Sequence, residues 1–247
     1  MIEVARNERV VTLVLDSPPV NVLDGALLGE LTNELTRCAA DGDLAAVVLC
    51  GKGRCFSAGA SVEEHKKDKA PAMLAALLDA CTALADLPVP VVALVHGSCL
   101  GGALELISFC DFVVADPSAK FGVPEITLAF FPPIASVRLP RLAGMQNAAF
   151  LALSGESVDA DRAVAMGLVQ KILLREQWDE IESRFNGLSA PVLRLTKEAL
   201  RKGARAYDRP ALEGLNTLFM EKLFEIEDVA EGIASFEERR KPAWNHR

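Results

Sequence analysis

The chain has 247 residues, of which 51% are hydrophobic, and this predicts one large domain or a domain with an appendage, with apolar surface left for subunit contacts. Its formal net charge of −8 argues against a general nucleic-acid surface, which would be basic. We find no apolar stretch of membrane-spanning length and no N-terminal signal pattern, so we expect no membrane association. The six cysteines include no C-x-x-C pair, which favours reduced thiols, a cytoplasmic location and no metal centre.

The first part of the chain alternates strands and helices. The apolar run Val10–Leu15 predicts a first strand, and Asp24 is expected to begin a helix with leucines at helical spacing. The continuous apolar run 45–50 indicates a strand buried on both faces of a parallel sheet. A loop of small residues follows at 51–61, and the charged segment 63–69 is expected to be mobile or exposed before a helix at about 70–87.

Residues 89–125 are the centre of the prediction. A valine-rich strand leads through Gly101 and Gly102 into a helix that carries Glu105 in its first turn. A second strand at 111–115 leads to a turn in which Pro124 precedes Glu125. Beyond it, 126–134 is interpreted as an apolar loop, and helices are expected to predominate from Ser136 onward.

The small-residue loop around Gly59 and the turn around Gly102 each follow an apolar parallel strand. Ligands of open α/β sheets bind at the carboxyl ends of strands, so the two loops could direct two N–H groups at one carbonyl oxygen. The alternative is that the small residues only allow tight packing of helices on the sheet. Neither loop matches a dinucleotide or phosphate-loop pattern.

Glu105 and Glu125 are the candidate catalytic groups. Glu105 is flanked by leucine and isoleucine, and Glu125 lies between proline and isoleucine. A carboxyl group in such surroundings has a raised pKa unless it is paired, which suits acid–base chemistry on a bound carbonyl compound. A structural ion pair is the alternative for either residue.

Other polar residues have structural interpretations. Asp111 is expected to anchor a turn, His96 to satisfy a backbone group in the core, and His65 to lie on the surface. Lys52 and Arg54 could meet phosphates, with a solvated rim as the default interpretation.

Four segments resemble the crotonase (enoyl-CoA hydratase/isomerase) superfamily, in order and over nearly the whole chain. They are Asn-Val-Leu at 21–23, Cys-Phe-Ser-Ala-Gly-Ala at 55–60, the stretch from His96 to Glu105, and Phe-Gly-Val-Pro-Glu-Ile at 121–126. The resemblance implies an α/β fold, a ββα spiral core over residues 1–190 that holds the acyl-CoA site. It also implies a C-terminal helical region over 191–247 that builds homotrimers or dimers of trimers.

The resemblance also implies roles for individual residues. The backbone N–H groups of Ala60 and Gly102 would form the oxyanion hole for a thioester carbonyl, and Glu105 and Glu125 would be the catalytic pair of a hydratase. Substrate and coenzyme A contacts are expected at Ala58, Ser61, Val62, Gly101 and Phe131. No cofactor is implied besides coenzyme A as part of the substrate.

Two departures from the family pattern concern the substrate. Ser61 stands where the family usually has aspartate, and residues 130–136 replace the glycine-rich run of fatty-acyl hydratases. The segment at 130–136 and the Glu-His pair after Ser-Ala-Gly-Ala resemble hydratases of cyclic dienoyl-CoA thioesters. Alternatives are a linear or branched enoyl-CoA hydratase, a family isomerase or decarboxylase, and a non-catalytic acyl-CoA-binding or RNA-binding relative.

Overall fold

The structure is a computed structural model that describes residues 1–204, 213, 216, 217, 219–221, 223–225, 227–241 and 243. Within these residues the main sheet consists, in spatial order, of β1 (Ile2–Asn7), β2 (Val10–Leu15), β3 (Ala46–Gly51), β4 (Val91–Val95), β6 (Phe112–Ala115) and β9 (Lys171–Ile172). All of these strands are parallel to their neighbours except the antiparallel pair β1–β2. The apolar runs of β3 and β4 are buried on both faces, as the sequence predicts.

The prediction that Val10–Leu15 is the first strand is wrong, because β1 precedes it and forms the edge of the sheet. Edge strands expose most of their side chains, and β1 therefore lacks the apolar run by which the other strands are detected. Helices α1 (Gly25–Ala40) and α2 (Ala70–Asp86) pack together beside the sheet. Asp24 begins α1 as predicted, because its Oδ1 accepts a hydrogen bond from Leu27 N at 2.8 Å.

A second, three-stranded sheet positions the candidate site. It consists of β5 (Ser98–Leu100), β7 (Lys120–Gly122) and β8 (Val158–Asp159), in that order. Strands β5 and β7 are parallel with Leu100 opposite Gly122, and Gly101 N donates to Gly122 O at 2.9 Å. Because parallel strands end at the same edge, the residues that follow β5 and those that follow β7 lie side by side.

The segment 126–134 is not a simple apolar loop. Residues Pro124–Leu128 form a 3₁₀ turn, and α4 (Pro133–Ala143) begins at Pro133, earlier than predicted. Proline at the first helical position is favourable because its φ is preset and it lacks an N–H that would be unsatisfied there. Helix α3 (Gly102–Ile107) follows Gly101, so the predicted helix that carries Glu105 is present.

The described residues of the remaining chain are largely helical, as predicted. Its helices are α5 (Met145–Ser154), α6 (Ala160–Ala165), α7 (Asp179–Asn186), α8 (Ala190–Ala204) and α9 (Glu227–Glu237). Lys197 of α8 donates to Asp111 Oδ2 at 2.5 Å and to Val89 O at 2.8 Å, which ties this helix to the sheet. None of the helices in the described part of the chain combines the length and the apolar character that crossing a membrane requires.

Candidate active site

The glycine-bearing loops predicted to converge do meet. A Cβ atom built on Gly102 would lie 3.3 Å from Ala60 N, and one built on Gly59 would lie 2.5 Å from Leu100 O. Gly59 has φ +102° and Gly101 has φ +53°, conformations that L side chains rarely adopt. The glycines therefore let two backbone segments approach more closely than side chains would permit.

The amides of Ala60 and Gly102 are oriented for binding a ligand. Leu23 forms a parallel bridge with this segment in which it donates to Gly59 O and accepts from Ser61 N, so the Ala60 N–H points to the opposite side. Gly102 is the first residue of α3, and the first-turn amides of a helix have no intrahelical acceptor. Two N–H groups from separate loops can thus bind one oxygen atom between them.

Glu105 is buried in the core, with 3% of its surface exposed. Its Oε1 accepts a hydrogen bond from Ala135 N at 2.8 Å, at the N-terminus of α4. Burial raises the pKa of Glu105 to about 7, against the opposing effect of the Ala135 and Ile134 amides, which stabilise the carboxylate. Sequence reasoning missed these amides, although two consecutive prolines at 132 and 133 are a signal for a helix start.

Glu125 lies on the 3₁₀ turn that follows β7, with its carboxyl group against Gly101. A Cβ atom on Gly101 would lie 2.8 Å from Glu125 Oε1, so only glycine leaves room for this carboxyl group. The Oε2 atom is buried and has no hydrogen-bond partner among the described residues. Burial and, after it, the charge of Glu105 raise the pKa of Glu125 to about 8.

The structure therefore brings both predicted carboxyl groups to one site. The charge of Glu105 raises the pKa of Glu125, which disfavours ionisation of both groups together, so near neutral pH the pair holds one proton. The carboxylate form is favoured at Glu105 because helix α4 donates hydrogen bonds to it, and the proton is favoured at Glu125. The arrangement can supply a general base and a general acid at the same time.

Of the predicted substrate-contact residues, Gly101 is buried beside Glu125, and the other four are partly or fully exposed. Ala58 is exposed and Ser61 and Val62 are half-buried, all on the loop that contains Ala60. Phe131 is half-buried, and its ring centroid lies 5.3 Å from that of Phe219. Their contacts with substrate and coenzyme A stay predictions.

A cluster of aromatic rings, which includes His65, Phe130 and Phe219, borders the site. His65 is half-buried in this cluster, so the prediction that it lies on the surface is wrong. The His65 ring packs edge-on against Phe130 at 5.1 Å between centroids, and Nδ1 donates to Ser61 O at 2.7 Å. Burial lowers the pKa of His65, which favours the neutral ring. Phe130 also stacks on Phe219 at 5.7 Å.

The other polar candidates have the structural roles predicted for them. His96 Nε2 lies 3.0 Å from Gly53 O, and Asp111 accepts from Val91 N at 2.7 Å as well as from Lys197. Lys52 pairs with Glu3 and Asp16 on the surface. The described residues contain no group of His, Cys, Asp and Glu that could hold a metal ion.

This fold and site define a class: an α/β enzyme scaffold in which two acidic side chains face a pair of backbone amides. Comparison with known proteins identifies the class. Residues 5–247 match the family model described as enoyl-CoA hydratase/isomerase. The chain is 34% identical to cyclohexa-1,5-dienecarbonyl-CoA hydratase of Thauera aromatica, over 98% of this chain and 95% of that protein. It is 36% identical to 2,3-dehydroadipyl-CoA hydratase of Escherichia coli K12, over 99% and 98% of the two chains.

A solved structure of an enoyl-CoA hydratase from Mycobacterium avium subsp. paratuberculosis K-10 superposes with a TM-score of 0.87 at 26% identity, covering 99% of this chain and 98% of that one. The chain therefore belongs to the enoyl-CoA hydratase/isomerase family and has the crotonase fold. It is an enzyme of the enoyl-CoA hydratase type, a hydro-lyase.

Proposed function

We propose that this protein adds water reversibly to the conjugated double bond of an acyl-CoA thioester, with a cyclic dienoyl-CoA as its specific substrate. The observation that carries the proposal is the pair of buried carboxyl groups, Glu105 and Glu125, beside the converging amides of Ala60 and Gly102. Hydration needs a base, an acid and stabilisation of an enolate oxygen, and this site can provide all three.

In the proposed mechanism the thioester oxygen accepts hydrogen bonds from Ala60 N and Gly102 N, which draws electrons from the double bond towards the carbonyl. Glu105 removes a proton from a water molecule, whose oxygen bonds to the β-carbon. Protonated Glu125 donates its proton to the α-carbon as the enolate collapses. The next water molecule in the site returns the proton from Glu105 to Glu125, so the pair is restored and the net change is the addition of one water.

Two acid–base groups distinguish hydration from the related isomerisation or decarboxylation. Moving a proton within the substrate can use one group that accepts and donates in turn, whereas hydration activates water on one carbon and protonates its neighbour. Both glutamates stand at the site in this chain, which favours the hydratase.

The acyl group is proposed to be cyclic because two phenylalanines begin the segment 130–135, whose first residue bonds to Glu125 and whose last bonds to Glu105. Phe130 N donates to Glu125 O at 3.0 Å and Ala135 N donates to Glu105, so Phe130 and Phe131 lie in the chain between these two anchors. Ala60 packs against the same aromatic cluster. Flat apolar side chains suit a planar ring, and they would disfavour the charged end of a dicarboxylic acyl chain.

The remaining assignments rest on the family resemblance. Ala58, Ser61 and Val62 are proposed to contact coenzyme A. Gly101 is proposed to contact the thioester region, and Phe131 is proposed to contact the acyl group. The protein is proposed to be a cytoplasmic homotrimer or dimer of trimers. Exposed apolar side chains on α5 and α8 support assembly with further copies: Met145, Leu153, Leu195 and Leu200 are 65–75% exposed.

The proposal is tested with purified protein and a panel of linear, branched, dicarboxylic and cyclic enoyl-CoA thioesters. Hydration removes the absorbance of the conjugated thioester, and mass spectrometry of the product made in ¹⁸O-labelled water detects the added oxygen. We expect the highest kcat/KM for a cyclic dienoyl-CoA. Faster turnover of a linear substrate would overturn the cyclic assignment, and products without ¹⁸O for the whole panel would overturn hydration.

A further inference from the structure

The turn that carries Glu125 is enclosed by glycines from three separate elements: Gly101 before α3, Gly155 after α5 and Gly232 within α9. A Cβ atom on each would lie less than 3 Å from an atom of the turn: 2.8 Å from Glu125 Oε1, 2.9 Å from Ile126 Cγ2 and 2.1 Å from Leu128 O, respectively. The turn is therefore fixed by close backbone approach from several sides.

The contact at Gly232 differs from the other two in its partner atoms. A Cβ there would also lie 2.6 Å from the Leu128 carbonyl carbon and 3.1 Å from the Leu128 Cα. These are backbone atoms, which cannot relieve the clash by a change of rotamer. Gly232 is buried inside a helix, where glycine is less favourable than alanine. Its φ is not positive, so the close approach of α9 to the turn is what requires glycine here.

A displacement at Leu128 would be transmitted to Glu125 because the turn is internally bonded. Thr127 Oγ1 donates to Pro124 O at 2.7 Å, and Phe130 N donates to the carbonyl oxygen of Glu125 at 3.0 Å. Pro124 restricts the backbone at the start of the turn. These bonds couple the position of Leu128 to that of Glu125.

Helix α9 is itself held in place, so the turn and not the helix would yield. Val229 and Ile233 are buried in the cluster that contains Phe130 and Phe219. At the end of the helix Glu237 also forms an exposed ion pair with Lys66 at 2.8 Å, on the segment that follows Ala60 and Ser61, although the buried contacts are what hold the helix. The helix thus contacts both halves of the active site.

We propose that Gly232 is a positioning residue for the reaction: it lets α9 seat directly on the 124–128 turn and so sets the place of the Glu125 carboxyl group relative to Glu105 and the substrate. This inference rests on the proposed function, in which Glu125 is the acid. A Cβ at position 232 displaces the turn and misplaces the carboxyl group without touching the amides that bind the thioester.

The test compares G232A with wild-type enzyme, and G29A serves as the matched control. Gly29 lies inside α1, is exposed and has no atom within 4 Å of the added Cβ. We expect G232A to lower kcat by about 10- to 100-fold, because misplacement by about 1 Å has effects of this size, and to change KM by less than about threefold. G29A is expected to keep wild-type kinetics.

A double-mutant cycle with E125Q separates positioning from a general structural effect. If Gly232 acts through Glu125, G232A should cost less than about twofold in the E125Q background, because the acid is already absent. An equal loss in both backgrounds, or a folded G232A with wild-type kcat, would overturn the inference. Wild-type activity of E125Q would instead contradict the proposed function.

If G232A does not fold, G155A decides. Its Cβ presses on the methyl groups of Ile126 and Thr127, so it pushes the same turn through flexible side chains. A loss of kcat in the wild-type background that disappears in E125Q would support a positioning role for the glycine contacts. The same loss in both backgrounds, or wild-type kcat in G155A, would overturn it.

Discussion

At the scale of single residues, the chemistry depends on how one proton is divided between two carboxyl groups. With raised pKa values of about 7 for Glu105 and about 8 for Glu125, both groups are protonated in acid, and the base is lost. In alkali both are ionised, and the acid is lost. The singly protonated pair exists between these limits, and its two apparent pKa values belong to the pair.

We therefore predict a bell-shaped dependence of kcat/KM on pH with its maximum between the two pKa values. Activity should fall below about pH 7 and above about pH 8 in a profile recorded from about pH 5 to about pH 10. In E125Q the alkaline limb assigned to loss of the acid should disappear from the residual activity. A profile that stays flat across this range would exclude the shared proton.

A second prediction concerns Gly101, whose missing side chain leaves room for Glu125. G101A should lower kcat/KM by about 10²-fold, because the new methyl group would lie only 2.8 Å from Glu125 Oε1 and would displace the carboxyl group. G53A is the matched control: Gly53 also has positive φ, +79°, but nothing lies within 4 Å of its added Cβ. An equal loss of kcat/KM in both variants would mean that backbone strain causes the loss. Wild-type kcat/KM in G101A would mean that the clash with Glu125 has no effect.

At the scale of secondary-structure elements, a buried ion pair between Lys197 and Asp111 helps to fix α8 to the sheet. Lys197 is 6% exposed, and burial lowers its pKa although Asp111 opposes this effect. K197M removes the cation and leaves the Asp111 carboxylate without it, so the free energy of unfolding should fall by about 3 kcal/mol. Urea denaturation measures this change.

The control for this prediction is K69M, which removes the exposed pair between Lys69 and Glu63. Exposed pairs contribute little, so its stability should stay within about 1 kcal/mol of wild type. If K197M is as stable as wild type, the ion pair does not hold α8, and other contacts of the helix, such as the hydrogen bonds from Arg194 to Leu44 O and from Arg201 to Leu87 O, must do so.

The length and burial of an element decide whether the sequence predicts it. Runs such as 45–50 and the leucines of α1 are long, apolar and strictly periodic, because each faces a large core, and these predictions are confirmed. Strands β5 and β7 have three residues each, too few for a periodic pattern. Their pairing is set by contacts far apart in the chain, which local sequence does not encode.

At the scale of the whole molecule, the active site exists only because distant segments meet. The glycine spacing and the two carboxyl groups in apolar surroundings were visible in the sequence. The hydrogen bond from Ala135 N to Glu105, across 30 positions in the chain, was not, nor was the packing of α9 on the Glu125 turn. Residue types are predictable from local pattern, whereas their distances follow from the packing of the complete fold.

The most direct test is to measure kcat/KM for hydration with wild type, E105Q, E125Q and the double variant. Glutamine keeps the shape of each side chain but can neither accept nor release the proton. Each single variant should lose about 10³-fold or more, and the double variant little beyond that, since the two groups act as a unit. Full hydratase activity in the double variant, with the fold intact by circular dichroism, would contradict the proposed mechanism.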